Sequence, residues 1–428
     1  MIYELARATG RLLNRVPQID GRNRAQDGKT LRWDNGIMLL GVYISVPFCR
    51  TKCSYCNFAS DVFSKAVFER YVDRLCLDIS SAERVAKEAG GIFEREVDSI
   101  YLGGGTPTIL ESAQLQRIFN AVRADFGVTP DCEITVECAP GTLTPAVLTV
   151  LLSCGVNRVS LGVQSFIDQE AAAVGRLHKR TTVLDDIARL RTAGITNINV
   201  DLIAGLPHQT TESWRISLQQ AIDTGVPHAS VYMLEVDDDS RLGRELIAGG
   251  TRYHAHSVPD EDATADFYIE ASEALNAAGI SQYEISNFAR PGFESRHNLK
   301  YWTRKPYLGF GVDAHSMLHS AHRQDEAVRL ATPDILEKYV SGSPIQRTQI
   351  SLSAALEETF FLGLRLNRGV DLVQVAAEFG QTAVEQLQPT IADLEKQALL
   401  ERSANSIRLT NRGRLLSNEV FQSFLTPA

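Results

Sequence analysis

Three cysteines carry the strongest chemical signal in the chain. They stand in Cys49-Arg-Thr-Lys-Cys53-Ser-Tyr-Cys56, a CxxxCxxC pattern. The whole chain has only seven cysteines in 428 residues, so chance seldom produces this spacing, and it reads as a ligand set. Three such thiolates can hold a [4Fe–4S] cluster and leave one iron open to a small molecule. Zinc is the rival metal, but it would want a fourth ligand. The bland reading is three buried free thiols. Cys76, Cys132, Cys138 and Cys154 are scattered and read as small packing residues.

A second group is polar and lies where strands should end. Tyr101-Leu-Gly103-Gly104-Gly105-Thr106-Pro107-Thr108 follows an apolar run. Its glycines would let backbone amides approach a ligand, and Thr106 could hydrogen-bond to it. Glu137, Gln164 and Asp201 each terminate or interrupt a later apolar run. A polar residue in such a run needs a partner, either a neighbouring loop or a ligand. Carboxylates suit hydroxyls, and Gln164 suits a mixed donor and acceptor. Arg176 could fork onto a carboxylate or form a surface ion pair. Further on, Arg296-His297-Asn298-Leu299-Lys300-Tyr301-Trp302 sets an imidazole beside two aromatic rings. That set could ligate heme iron and face a porphyrin, or it could simply be packing. His315 is a second, less specific candidate.

These residues need a scaffold. From residue 39 onward, apolar β-branched runs (39–46, 97–102, 133–137, 158–163, 198–203, 229–234) alternate with amphipathic helical stretches. Six such units predict an α/β fold with a parallel sheet, a partial (βα)6 TIM-like barrel with its chemistry at the strands' C-terminal ends. Residues 353–428 read differently, as helices and a hairpin near Ala404–Asn405, a C-terminal winged-helix-like module. The expected organisation is an N-terminal extension (1–38, poorly ordered), a barrel (39–290), a connecting region (291–348) and the C-terminal module (349–428). Arg7, Arg11 and Arg15 could form a basic amphipathic face in the extension, and no secretory signal is evident there.

Composition narrows the function. The chain carries 43 Lys+Arg against 52 Asp+Glu, a net charge of −9. Its C-terminal 78 residues hold seven basic and nine acidic side chains. Neither balance suits nucleic acid, so a winged-helix regulator is remote and the module is expected to pack on the barrel. No apolar run is long enough for an integral membrane segment. Seven cysteines, an odd number in a long chain, suit a reducing, cytoplasmic compartment.

CxxxCxxC with an aromatic before its last cysteine resembles the radical S-adenosylmethionine superfamily. Within it, the motifs from Tyr43 to about Ser316 resemble the anaerobic coproporphyrinogen III dehydrogenase group and its relatives, the HemW heme chaperones. The resemblance implies that Cys49, Cys53 and Cys56 hold a [4Fe–4S] cluster. It implies that Tyr43, Tyr55, Gly104, Gly105, Thr106, Glu137, Gln164, Arg176 and Asp201 contact S-adenosylmethionine. The dehydrogenases carry a further cysteine two residues after the last ligand, where this chain has Phe58. His297, Tyr301 and Trp302 match the HNxxYW motif of the chaperone branch, which has been linked to heme. The resemblance therefore favours a heme chaperone, with heme as cargo and an acceptor protein as partner. Radical decarboxylation of coproporphyrinogen III is the alternative. An electron donor for the cluster and a homodimer are further expectations, and the sequence fixes no interface for either.

Overall fold

The computed structural model describes residues 39–322 and 326–425. The expectations for the extension 1–38 lie outside the described residues.

Six strands form the centre: β1 (Leu40–Val46), β2 (Glu96–Gly104), β3 (Gly127–Cys138), β4 (Arg158–Gln164), β5 (Asn197–Ala204) and β6 (His228–Met233). They lie side by side in chain order, and every neighbouring pair is parallel. An order without reversal puts all the crossover helices on one face, which is the arrangement of a barrel wall. β1 is buried at all seven positions, as expected for a strand covered on both faces. The helices bury their apolar stripes on the sheet. Lys65–Ser80, for example, places Phe68, Tyr71, Val72, Leu75 and Ile79 in the core. Its spacing of three and four residues is what a one-sided helix requires.

The sheet is wider than six strands. β7 (Ser281–Gln282) and β8 (Asn287–Ala289) extend it beyond β6. At the other edge β9 (Tyr307–Gly311) pairs parallel with β1. β10 (His315–His319), β11 (Ala327–Ala331) and β12 (Gln346–Ile350) then add antiparallel strands, giving twelve in all. Residues 340–348, at the end of the expected connecting region, contain Gly342 and Pro344. Here they include the start of an edge strand whose first four residues are exposed. Pairing with β11 decides its structure, and no local periodicity announces it.

The C-terminal module has helices Leu352–Gly363, Leu372–Phe379 and Gln381–Lys396, and a small sheet of β13 (Val370–Asp371), β15 (Ser406–Leu409) and β14 (Leu400–Ser403). The hairpin turns at Ala404, which takes a left-handed φ of 52°. The chain's last helical stretch is split into two short helices, Asn411–Leu415 and Ser417–Gln422. The module docks on the β7/β8 edge. Asn367 donates its backbone amide to Tyr283 and its side-chain amide to Gln282 O, and Ile285 N donates to Arg365 O. A buried ion triad fixes it to the other edge. Glu358 lies between Arg329 of β11 (2.8 Å) and Arg304 (3.6 Å). Removing the carboxylate would leave the largely buried Arg329 guanidinium without its counter-charge, while Arg304 keeps Glu378 at 3.3 Å. Glu358→Ala is therefore expected to cost about 3–5 kcal/mol in urea unfolding. A loss under about 0.5 kcal/mol would contradict the triad's role.

Candidate functional site

The cysteine loop leaves the end of β1 and returns in register. Cys49 N donates to Asp61 O and Asp61 N to Pro47 O, both at 3.0 Å. Inside the loop, the Lys52 ammonium donates to Phe58 O (2.7 Å) and Ser60 O (2.5 Å). Its charge also favours the thiolate of Cys56. Burial nonetheless pushes Cys49 up to about 11 and raises Cys56. Such thiols stay protonated until a metal takes the proton's place. Among the described residues, no three His, Cys, Asp or Glu side chains are close enough to hold one metal ion. A single zinc ion would have to draw all three thiolates within about 2.3 Å of itself. A cluster gives each cysteine its own iron.

The glycine-rich loop follows β2 and locks onto the cysteine loop. Gly105 N donates to Val46 O (2.8 Å) and Thr106 N to Phe48 O (2.7 Å). A Cβ on Gly105 would stand 2.6 Å from Phe48 O, and Gly104 takes a left-handed φ of 96°. The expected role of the loop amides is thereby corrected. All three are committed within the protein, since Gly104 N donates to Glu137 Oε2 (3.2 Å). The loop has carbonyl oxygens left, and these are acceptors for an ammonium group. The Thr106 hydroxyl reaches Cys49 Sγ at 3.9 Å.

The three polar strand residues converge on one cavity. Glu137 accepts from the Tyr101 hydroxyl at 2.7 Å. Burial, opposed by that bond and reinforced by the charge of Asp201, pushes Glu137 up to about 7. Asp201 accepts from Ser160 (3.1 Å) and Asn199 (2.7 Å). Gln164 closes β4 with a left-handed φ of 69°, a strained conformation for a residue with a side chain. Its Oε1 is buried without a partner. Arg176 Nη1 donates to Cys53 Sγ (3.7 Å) and Nη2 to Gly162 O, while its Nε is buried and unpartnered. Tyr55 packs against Val174, Ile203 and Leu206.

A single cavity of about 910 Å³ is lined by Cys49, Cys53, Cys56, Tyr43, Tyr55, Gly104, Gly105, Thr106, Glu137, Gln164, Arg176 and Asp201. It sits at the C-terminal ends of all six central strands. Phe361, Arg365 and Phe421 of the C-terminal module line its outer side. A carboxylate of raised pKa, carboxylate acceptors for hydroxyls, an unpartnered guanidinium nitrogen and an unpartnered amide oxygen together fit a zwitterionic nucleoside-bearing ligand beside a thiolate-bound cluster. Sequence reasoning missed Tyr101, Ser160, Asn199 and Lys52. Tyr101 could have been found, because it stands two residues before Gly103 and so on the same face of β2. Lys52 had no signal beyond its place between two cysteines.

The HNxxYW residues are largely packed, with Asn298 bordering the large cavity and Tyr301 a smaller one. They form the helix Arg296–Trp302 under the sheet. His297 is fully buried; its Nδ1 meets Ser99 Oγ at 2.9 Å and its Nε2 meets the Tyr301 hydroxyl at 2.8 Å. Burial, with Lys300 and Arg158 nearby, holds it down to about 3. Trp302 is 1% exposed, with the Arg365 guanidinium 4.6 Å over its ring. Tyr301 packs with Leu362 and Leu366 and lines a smaller cavity together with Tyr307 and His315. Both imidazole nitrogens of His297 are hydrogen-bonded, and of the three residues expected to contact heme Tyr301 is the one that borders a cavity. His315 lines that smaller cavity 3.9 Å from Asp313, and burial, with Arg329 nearby, holds its imidazole down to about 4.

His297 gives a test with a definite sign. Its folded pKa lies below the ordinary value near 6.5, so its contribution is present above that pH and is lost as pH falls toward about 3. Stability should therefore decline on acidification below pH ~6.5, by up to about 1.4 kcal/mol per pH unit from this residue. His297→Gln should flatten that slope in denaturation series. His297→Ala, which strands two buried hydroxyls, should cost about 2–4 kcal/mol. An unchanged slope together with an unchanged midpoint would contradict the packing role.

Comparison with known proteins follows the same outline. The Radical SAM superfamily profile matches residues 43–221, and the HemN C-terminal domain profile matches residues 350–416. The chain is 33% identical over 385 residues to the heme chaperone HemW of Bacillus subtilis (strain 168), covering 90% of this chain and 98% of that protein. It is 30% identical to the heme chaperone HemW of Escherichia coli (strain K12), with the same two coverages. Among solved structures, coproporphyrinogen III oxidase (HemN) from Escherichia coli, described as a radical SAM enzyme, superposes with a TM-score of 0.76. That match covers 90% of each chain at 24% identity, a likeness of fold.

Proposed function

Because this chain belongs to the HemW group of the radical S-adenosylmethionine superfamily, we propose that it is a heme chaperone: it binds heme and passes it to an acceptor protein. The observation that carries the reading is the near end-to-end match to proteins named for that role. Phe58, in place of a further cysteine, agrees with it. Cys49, Cys53 and Cys56 hold a [4Fe–4S] cluster, and Tyr43, Tyr55, Gly104, Gly105, Thr106, Glu137, Gln164, Arg176 and Asp201 hold S-adenosylmethionine. When bound, the cluster supplies an open iron for the methionine moiety. The protein supplies the rest. Arg176 offers charge to a carboxylate, Asp201 and Glu137 accept hydroxyl or ammonium protons, and the Tyr43–Tyr101 pair (ring centroids 6.1 Å apart) forms an aromatic wall.

The domain division (39–290, 291–348, 349–428) goes with this reading, the last segment serving as a lid over the cavity rather than as a nucleic-acid reader. So does a reducing, cytoplasmic setting, since all seven cysteines are free. Among the described residues no helix is long and apolar enough to cross a membrane.

Two measurements test the proposal. Protein reconstituted anaerobically should carry about four irons per chain. Cys53→Ala should lose that cluster, and a full cluster in the variant would sink the ligand assignment. Offered hemin and coproporphyrinogen III in parallel, the reconstituted protein should bind hemin in saturable fashion and leave the porphyrinogen unchanged. Conversion to protoporphyrinogen IX would make it a decarboxylating enzyme instead.

A further inference from the structure

Three arginines line the large cavity: Arg50, Arg176 and Arg365. Arg50 is exposed to solvent, and Arg176 is engaged by Cys53 Sγ and Gly162 O. Arg365 is half-buried, and its guanidinium makes no hydrogen bond or ion pair among the described residues. Its Nε is wholly buried without a partner. Glu284 lies within range of its charge, but burial raises that carboxyl above its ordinary value. The Glu284 Oε1 is already spent, accepting from Ser286 N (3.1 Å) and Asn287 Nδ2. A charge taken from water is costly until it is paired, so a guanidinium left free at a cavity wall calls for an anion.

The fold holds Arg365 in place. Its backbone closes the turn after the helix Leu352–Gly363, with Arg365 N donating to Leu362 O at 3.2 Å. Ile285 N donates to Arg365 O (3.1 Å) and Asn367 N to Tyr283 O (3.0 Å), which stitches the turn to the barrel edge at two points. The guanidinium carbon then stands 4.6 Å from the Trp302 ring centroid and 5.9 Å from that of Phe421. Stacking of this kind fixes the plane of the group and leaves its N–H edge open. Phe361 shares the cavity wall with Phe421. Beside them the Phe360 and Phe424 rings stack 4.7 Å apart at 12°, which ties the helix Leu352–Gly363 to the chain's last helical stretch. Asn298 borders the same cavity, and its Oδ1 is also buried without a partner.

We infer that Arg365 binds a propionate carboxylate of the heme cargo, with the macrocycle against Phe361 and Phe421 in the outer part of the large cavity. The inference rests on the heme-carrier reading and deepens it by naming the cargo's anchor. A wall of one free cation among aromatic rings suits a ligand that is anionic at its edge and flat and apolar in its body. Heme with its propionates is such a ligand. The HNxxYW helix serves this contact from behind. Trp302 is the platform that orients Arg365, a positioning residue, while Asn298 can turn its amide N–H toward the same carboxylate. Gln164, Arg176 and Asp201 stand at strand ends, whereas Arg365, Phe361 and Phe421 come from the C-terminal module. S-adenosylmethionine and cargo therefore use different walls of one cavity.

The test compares hemin with hemin dimethyl ester, which keeps the iron and the macrocycle but carries no free carboxylate. Each is titrated into the anaerobically reconstituted protein and followed by the Soret band. Wild type should prefer hemin over the ester by about tenfold or more. Arg365→Gln should lose that preference by weakening hemin alone. Arg365→Lys, which keeps the charge without the fork, should restore part of it. A merely structural role would weaken both ligands alike and leave their ratio unchanged. Iron content and S-adenosylmethionine binding should match wild type in both variants. Equal affinity of wild type for hemin and ester, or a preference that survives in Arg365→Gln, would overturn the anchor. Loss of S-adenosylmethionine binding in Arg365→Gln with the hemin preference intact would assign the residue to the other ligand. Wild-type protein that binds neither hemin nor its ester would instead sink the carrier reading itself.

Discussion

The end of β1 is the constraint on which the site depends. Its last carbonyls are all taken. Ser45 O accepts from the buried Tyr71 hydroxyl at 2.6 Å, Val46 O from Gly105 N, and Phe48 O from Thr106 N. The strand is also paired on both sides, with β2 and with β9. The cysteine loop therefore departs from a fixed point and is pinned to the glycine-rich loop as it goes. That is how two loops, each irregular, can present thiols and carbonyls to one cavity in a constant relation. The same commitment explains why only glycine fits at 105, where a Cβ would meet Phe48 O.

The fold was legible where periodicity is strong and local. The six parallel strands and their helices announce themselves in the apolar runs, because a strand buried on both faces must be apolar throughout and a helix on one face must repeat at three and four residues. The antiparallel margin was not legible. β12 is polar and mostly exposed, and only its partner β11 makes it a strand. At the site, the polar residues that interrupt apolar runs (Glu137, Gln164, Asp201) do line the cavity, because an apolar strand tolerates them only with a partner. Their supporting residues, Tyr101, Ser160 and Asn199, were hidden because hydroxyl and amide side chains are common in strands and carry no distinctive spacing.

The HNxxYW stretch is held on two sides by packing. Its residues are exacting because they are packed. His297 bridges β2 to Tyr301, Lys300 meets Asp98 at 2.7 Å, and Trp302 lies under Arg365 of the C-terminal module. The helix thus joins sheet to module.

That one chain holds cluster, S-adenosylmethionine and heme together is the central claim, and native mass spectrometry tests it most directly. Anaerobically reconstituted protein would be mixed with S-adenosylmethionine and hemin together and sprayed intact. The account predicts one chain carrying cluster, S-adenosylmethionine and heme at the same time. Masses showing either heme or S-adenosylmethionine, but never both on one chain, would contradict it.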